Sequence, residues 1–382
     1  MAPKETESEA PSLARRLVSS AARSALALGV ALCVLELCAR VLGLGLPPRE
    51  RSDMRALRLA VSDQVAPGLN QTLNPGAVGS STYIDPHSGA ERVVEYAVSS
   101  QGMRDREFAL PKPPGVLRVL VLGDSVTFGT GVPAEATFPK VVERALAERL
   151  PERPVEVLNA GVPATNTGQQ VAWFEFQMLQ YEPDLVFVCS TLVDASGFGV
   201  PRNDVQGESA RWIERLGLTS GRLHVDQLDD FPPSFRRTTW LRSHSVLADR
   251  LAHELYGRLR GDLELERYRL DWQPDSPGVG RIRRALQRLR ELSAEHEFQL
   301  WVGMFPFLTE LSENYPFAEQ HAHMQALCEA LGLRYFDLLQ PLLGQDGTAL
   351  KVHPHDRHPG ERAHQLVGEW IAERLLEQLA AG

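Results

Sequence analysis

Three stretches of this 382-residue chain carry side chains whose types and spacing could do chemistry together. Gly123-Asp124-Ser125-Val126-Thr127-Phe128-Gly129 follows an apolar run and sets a serine hydroxyl on a glycine-permitted turn at the start of a helix, where a nucleophile can face a crevice. Asn159-Ala160-Gly161-Val162-Pro163-Ala164 follows a second apolar run, and Gly161 there can offer an unobstructed backbone N–H to a developing oxyanion. His353-Pro354-His355-Asp356-Arg357-His358-Pro359-Gly360 precedes the last helix and places a carboxylate, Asp356, two residues before an imidazole, His358. Serine attack on an acyl carbon needs a base within reach of the hydroxyl and a third group that orients the base. Asp356 can face one ring nitrogen of His358 while Ser125 faces the other. A lone Gly-Asp-Ser is equally at home as a helix N-cap, and a lone histidine as a solvated loop residue; the agreement of three strand-end motifs favours the catalytic reading.

The elements that must position these motifs alternate. Residues 117–122 form an apolar run broken only by Arg118 and 138–150 show helical periodicity; 155–158 and 169–181 repeat the pair, and 184–189 read as a third strand buried on both faces. Residues 281–296 read as an amphipathic helix with a basic outer face, 298–305 as a strand, 318–331 as a helix, 333–337 as a fifth strand and 361–379 as a closing helix. Such alternation predicts an α/β fold, a doubly wound five-stranded parallel sheet covered on both faces and joined by right-handed crossovers. Ligands of such sheets sit outside the carboxyl ends of the strands, which is where the three motifs fall. An insertion over about residues 195–280 is far longer than an ordinary connection and predicts a cap region or a decorative subdomain. A helix over 239–259 is expected inside it, with residues 231–233, Trp240 and Trp272 able to pack over a cleft.

Ahead of the alternating region, residues 24–46 are apolar enough to read as a transmembrane anchor helix, preceded by a cytoplasmic tail at 1–23. Glu36 and Arg40 interrupt the run but stand one helical turn apart and can pair. No small-residue cleavage site closes it, so an uncleaved signal anchor is expected over a signal peptide. Basic residues flank it on both sides, so charge alone leaves orientation open. Residues 47–114 are rich in turn formers around short strand-like pieces and read as a β-rich linker or collar; residues 115–382 form the α/β domain.

The formal net charge of −9 with no dense basic block excludes a nucleic-acid partner. Cys33, Cys38, Cys189 and Cys328 form no metal-ligand pattern, so neither metal nor cofactor is expected, and buried free thiols are the reading for Cys189 and Cys328. Gly123, Gly129 and Gly131 lack the lysine and spacing of a phosphate-binding loop.

GDSVTFG, NAGVPA and DRHPGERAH, in this order on these elements, resemble the SGNH/GDSL hydrolase superfamily over roughly the last seventy per cent of the chain. The resemblance implies a flavodoxin-like three-layer α/β/α domain, with Ser125 as nucleophile, His358 as base and Asp356 as its orienting acid. It further implies that the N–H groups of Ser125 and Gly161 hold the oxyanion. A membrane-anchored bacterial branch is also similar at the N-terminus, including a collar like Ser100-Gln101-Gly102-Met103-Arg104. It implies a single-pass protein of the cell inner membrane with its catalytic domain in the periplasm. The family's third motif carries an Asn-Asp pair, the Asn donating to the oxyanion; here that place reads Ser190-Thr191-Leu192-Val193-Asp194, and Val193 cannot donate. Thr191 and Asn166 are the candidate substitutes, while Asn203-Asp204 lies too far past the strand end. The expected function is a serine esterase or acyltransferase acting on O-acyl carbohydrates or lipids. The alternative is a binding or scaffold protein for an acylated or polysaccharide ligand that keeps the fold and has lost the chemistry.

Overall fold

The computed structural model describes residues 13–42, 51–52, 54–61, 66, 68–84, 90–196, 245–248, 251, 266–353 and 356–381. The chain divides into two compact units, residues 1–47 with 231–260, and residues 48–230 with 261–382.

The smaller unit is built on helix α1 (Leu13–Val41). Its apolar side chains face outward: Leu26, Leu32, Leu37 and Val41 are 53–77% exposed. Glu36 accepts from Arg40 Nε at 2.8 Å and also from Ser245 Oγ and the amides of Val246 and Leu247 at 2.9–3.1 Å. One carboxylate therefore satisfies N–H groups that the start of a helical turn leaves open. No helix among the described residues is long and apolar enough to cross a membrane, so the expected transmembrane span is not supported. The physical reason is visible at Glu36, which is committed to a polar attachment part-way along the apolar run. The rest of the helix expected at 239–259, residues 231–233 and Trp240 lie outside the described residues.

In the larger unit the collar is packed into the domain. Strand β1 (Arg51–Ser52) pairs with β4 (Val78–Ile84), β2 (Arg58–Ala60) with β3 (Gln71–Leu73), and β4 with β5 (Glu91–Ala97), all antiparallel. Its Leu73, Tyr83, Tyr96, Met103 and Phe108 join the same buried cluster as the main sheet. A segment that reads as a linker is held as core because its inward residues are large and apolar; burying one such side chain is worth about 1.5–3 kcal/mol.

The main sheet contains β6 (Leu117–Gly123), β7 (Val155–Gly161), β8 (Leu185–Ser190), β9 (Gln299–Met304) and β10 (Arg334–Asp337), all parallel, in the order β10-β9-β8-β6-β7. Every residue of β6 and β8 is buried, which is why both read as near-continuous apolar runs rather than alternating ones; the exception in β6, Arg118, is paired with Glu156. The chain steps from β6 to β7 on one side and then to β8 on the other. The order therefore reverses at β6, and the crevice beyond its carboxyl end is where such a sheet holds a ligand.

Helix α2 (Ser125–Phe128) follows β6 and α3 (Phe138–Arg149) leads to β7. Helix α4 (Thr167–Trp173) runs on into a wider turn at Phe174–Met178 and a tight one at Leu179–Tyr181, where a single helix over 169–181 is expected. The widened turn lets Trp173, Phe174 and Met178 all bury. Helix α5 (Pro277–His296) packs on α4, α6 (Ala318–Ala330) precedes β10, and α7 (Glu361–Ala381) packs on α3. The α3–α7 approach depends on Gly368, where a Cβ would stand 2.6 Å from that of Val141. It is fixed further by His364, whose Nδ1 accepts from the amide of Phe138 at 3.1 Å. Burial pushes His364 down to about 3, so it is a neutral structural residue.

The two stems of the insertion meet. A Cβ on Gly278 would stand 2.0 Å from the carbonyl oxygen of Ala195, so these two ends lie in direct contact. Trp272, expected over a cleft, is buried and donates from Nε1 to the carbonyl of Leu192 at 2.9 Å, closing the turn that follows β8. Cys189 and Cys328 are buried free thiols.

Candidate active site

Ser125 opens α2 directly after β6. Asp124 caps this helix, its Oδ1 accepting from the amide of Val126 at 2.8 Å, and Gly129 ends it in the left-handed conformation with φ of 83°. Strands β11 (Lys351–His353) and β12 (Asp356–Pro359) pair as a short antiparallel hairpin just before α7. This hairpin brings Asp356 and His358 to the serine. Ser125 Oγ stands 2.9 Å from His358 Nε2, and His358 Nδ1 stands 2.6 Å from Asp356 Oδ1. With Nδ1 protonated towards Asp356, Nε2 is left to accept from the serine hydroxyl, the arrangement an activated nucleophile requires. Burial alone would raise Asp356. The charge of His358, two hydrogen bonds from that residue and the Tyr83 hydroxyl outweigh it and hold Asp356 at about 2, so it is a carboxylate throughout the working pH range.

A second carboxylate pair lies beneath the nucleophile. Asp124 and Asp194 are both buried, and Thr191 stands between them: its Oγ1 is 2.9 Å from Asp124 Oδ2 and 3.4 Å from Asp194 Oδ2. Asp194 also accepts from the Thr191 amide, Ser190 Oγ and Thr167 Oγ1 at 2.6–3.1 Å. Burial, then repulsion from Asp124, pushes Asp194 up to about 7, and burial raises Asp124 as well. One hydroxyl proton cannot serve both oxygens, so removing a proton from this pair is unfavourable. A raised carboxyl pKa means that the folded state binds more protons than the unfolded one. Asp194 thus contributes stability that is present in full at acid pH and is lost as pH rises through about 7. Asp194→Asn is expected to flatten the fall in melting temperature between about pH 4 and pH 7, read by calorimetry; an unchanged slope would show that Asp194 does not titrate in that window.

This network decides the substitutes for the missing oxyanion Asn. Thr191 Oγ1 donates to Asp124, and Asn166 caps α4, its side-chain oxygen accepting from the Gln169 amide while its own backbone N–H donates to Gln169 Oε1. Thr191 is therefore not the open donor expected of it. Val193 is partly buried against the core.

Gly161 is the last residue of β7, and its N–H donates to Asn159 Oδ1 at 3.1 Å. Its lack of a side chain serves packing: a Cβ would stand 2.1 Å from the Phe128 amide nitrogen, and α2 lies directly against the strand end. The loop beyond it is strained at Ala164, which has φ of 62°, and is gripped by Gln71 Nε2, which donates to the carbonyls of Pro163 and Ala164 at 2.7 and 3.1 Å.

The collar contributes more than sequence reading finds. Arg104 is buried and donates to the carbonyls of Phe128, Gly129 and Val132 at 2.6–2.9 Å, with its guanidinium over the rings of Tyr96 and Phe128. The carbonyls at the end of α2 and in the turn after it are thereby satisfied by a buried donor, which holds the nucleophile's helix in position. The motif Ser100–Arg104 marks the collar in the sequence, but nothing in it shows that a charge is destined for the core. Among the described residues no group of three His, Cys, Asp or Glu could hold a metal ion.

The family model for the GDSL-like Lipase/Acylhydrolase family matches residues 121–366, well over half of the chain. The chain belongs to this family. Among solved structures this GDSL-family chain is similar to a two-domain esterase active on acetylated mannans, at 14% identity and a TM-score of 0.39 over 69% of this chain and 49% of that one. It is similar also to a catalytic mutant of an acetylxylan esterase from Geobacillus stearothermophilus, at 12% identity and a TM-score of 0.36, covering 68% and 93%. An alpha/beta hydrolase enzyme from the metagenome of Lake Arreo, Spain, compares at 16% and 0.36, covering 68% and 95%. No curated protein matches the chain. The family match begins inside β6, so the collar lies outside it.

Proposed function

We propose that this GDSL-family protein is a serine-dependent acyl-ester hydrolase, and the observation that carries the reading is the continuous path from Ser125 Oγ through His358 to Asp356. Ser125 Oγ attacks the acyl carbon as its proton passes to His358 Nε2. The tetrahedral intermediate collapses, the ester C–O bond breaks, and His358 returns that proton to the departing alcohol. Water then attacks the acyl-serine, losing a proton to His358, and the carboxylic acid leaves as the proton returns to Ser125. An alcohol in place of water would make the same site a transferase. Asp356, held ionised, stabilises the imidazolium formed in each half-reaction.

The oxyanion falls to the Ser125 N–H and to a second backbone donor in the loop after β7. With the Gly161 N–H engaged by Asn159, we place that donor at the strained segment around Ala164. Losing the Asn side chain that Val193 replaces is worth on the order of 100- to 1000-fold in rate, which leaves slow turnover rather than none. The substrate class we assign is an O-acyl carbohydrate or lipid. Labelling of the full chain with a fluorophosphonate tests the reading: a folded protein that does not label would instead be a ligand-binding member that has lost its chemistry, the reading Val193 favours.

The exposed apolar side chains of α1 support a membrane surface as the protein's place of work. The full chain is expected to float with anionic vesicles in a density gradient, and a chain deleted of residues 1–46 to remain at the bottom; equal behaviour of the two would sink this assignment.

A further inference from the structure

The acid–base hairpin and the nucleophile's loop are separate pieces of chain, and in this protein a third piece, the collar, is bonded to both. Strands β4 and β5 pair so that Arg92 stands directly opposite Tyr83. Residues opposite each other on an antiparallel pair share a face, and here the Arg92 guanidinium lies 5.0 Å from the centre of the Tyr83 ring. The ring helps to fix where the guanidinium fork points. One nitrogen, Nη1, donates to the carbonyl of Gly131, just past the nucleophile's helix, at 3.0 Å. The other, Nη2, donates to the carbonyl of Val352 in the hairpin at 3.3 Å. A single planar group thereby spans the loop that follows Ser125 and the hairpin that carries His358.

The two sides of this bridge are held differently. On the nucleophile's side, the Gly131 amide donates to the Tyr96 hydroxyl at 2.9 Å, and Arg104 takes the carbonyls of Phe128, Gly129 and Val132. With Gly131 on Arg92, the carbonyls of 128, 129, 131 and 132 all end on two collar arginines, so this loop is fixed to the collar along its length. The hairpin is tied to the collar through Arg92 and through His353, whose Nε2 donates to the carbonyl of Ile84 at 2.9 Å. Loop and hairpin meet closely: a Cβ on Gly131 would stand 2.4 Å from Val352 Cγ1, and the residue holds φ of 85°, which a side chain would resist. Ser125 Oγ and His358 Nε2, 2.9 Å apart, belong to the two pieces that this junction joins.

We propose that Arg92 is a positioning residue of the catalytic centre: its guanidinium ties the acid–base hairpin to the loop after the nucleophile and so sets the contact between His358 and Ser125. The collar is then part of the catalytic unit and not a spacer, although it lies outside the family match. This rests on the triad reading above. Arg92 acts through two backbone carbonyls and not on the reacting atoms. Removing its fork frees the hairpin on one side while Arg104 still holds the nucleophile's helix.

The test uses the full chain with Arg92→Met, alone and combined with His358→Ala. Arg92 is exposed, so the substitution is expected to leave the core and the backbone pairing of β4 with β5 in place. A displacement of about 1 Å between reacting groups costs on the order of 100-fold, and a hairpin released at one of its ties is expected to lower kcat about ten-fold with KM unchanged. In the His358→Ala background, where no imidazole remains to be placed, Arg92→Met should cost nothing further. An unchanged kcat, equal losses in both backgrounds, or a rise in KM in place of the fall in kcat would each overturn the proposal. A second readout is independent of turnover: hydrogen exchange followed by mass spectrometry should show faster exchange of the β11–β12 amides in Arg92→Met, with β6 protected as in wild type. Unchanged exchange in the hairpin also overturns the proposal, whether or not the protein proves to be an esterase, whereas failure of the hydrolase reading shows as an unlabelled wild type.

Discussion

Ser125→Ala is expected to abolish fluorophosphonate labelling and to lower kcat towards acyl esters by on the order of a million-fold, with the melting temperature unchanged. The serine hydroxyl is the only atom removed, and α2 stays capped because Asp124, not Ser125, accepts from the Val126 amide. His358→Ala should cost about as much, since a serine 2.9 Å from its base is activated only through that base. Their combination should cost little more than either alone, because the two act as a unit. Additive losses would show that the contact is structural and that some other group takes the proton.

Gly161→Ala is the second large effect, and its cause is steric. The new Cβ would lie 2.1 Å from the Phe128 amide nitrogen and 2.6 Å from the Thr127 carbonyl carbon. Both partners are backbone, so neither can turn aside. β7 cannot retreat, because Gly161 is opposite Gly123 in the parallel ladder and the next amide, Val162, donates to the Gly123 carbonyl at 3.0 Å. The strain must fall on α2 and move Ser125. A displacement of about 1 Å costs on the order of 100-fold in rate, and overpacking of this kind about 1–3 kcal/mol of stability. A lower melting temperature together with slowed labelling is the expected result. If labelling slowed with no loss of stability, Gly161 would owe its place to the oxyanion after all.

These two positions separate what can be read in a sequence from what cannot. Ser125, Asp356 and His358 are legible because a serine hydrolase needs particular residue types at strand ends, and strand ends show as the close of apolar runs. The five strands are legible for the same reason: a parallel strand covered on both faces is apolar along most of its length, as β6 and β8 are apart from Arg118 and Ser190. Gly161 is legible as a glycine but not in its purpose, because whether its amide or its missing side chain matters depends on what packs over it, and α2 comes from a different part of the chain.

The collar belongs wholly to tertiary structure. Arg92 and Arg104 carry no spacing that ties them to Ser125 or Asp356, and turn-rich sequence around short strands looks the same in a tether as in a packed wall. Their roles arise from contacts spanning up to 260 positions of chain, as between Arg92 and Val352. The Asp124–Thr191–Asp194 network is similar: each residue reads as an ordinary cap or turn former, and only the pairing of β6 beside β8 brings the two carboxylates to one hydroxyl. The sequence by itself therefore determined the α/β fold and the three residues of the candidate triad, through local periodicity and residue chemistry. Which groups brace that triad, and which amide is left to face an oxyanion, were decided only by how distant segments pack, because hydrogen bonding and steric exclusion act through space and leave no period in the chain.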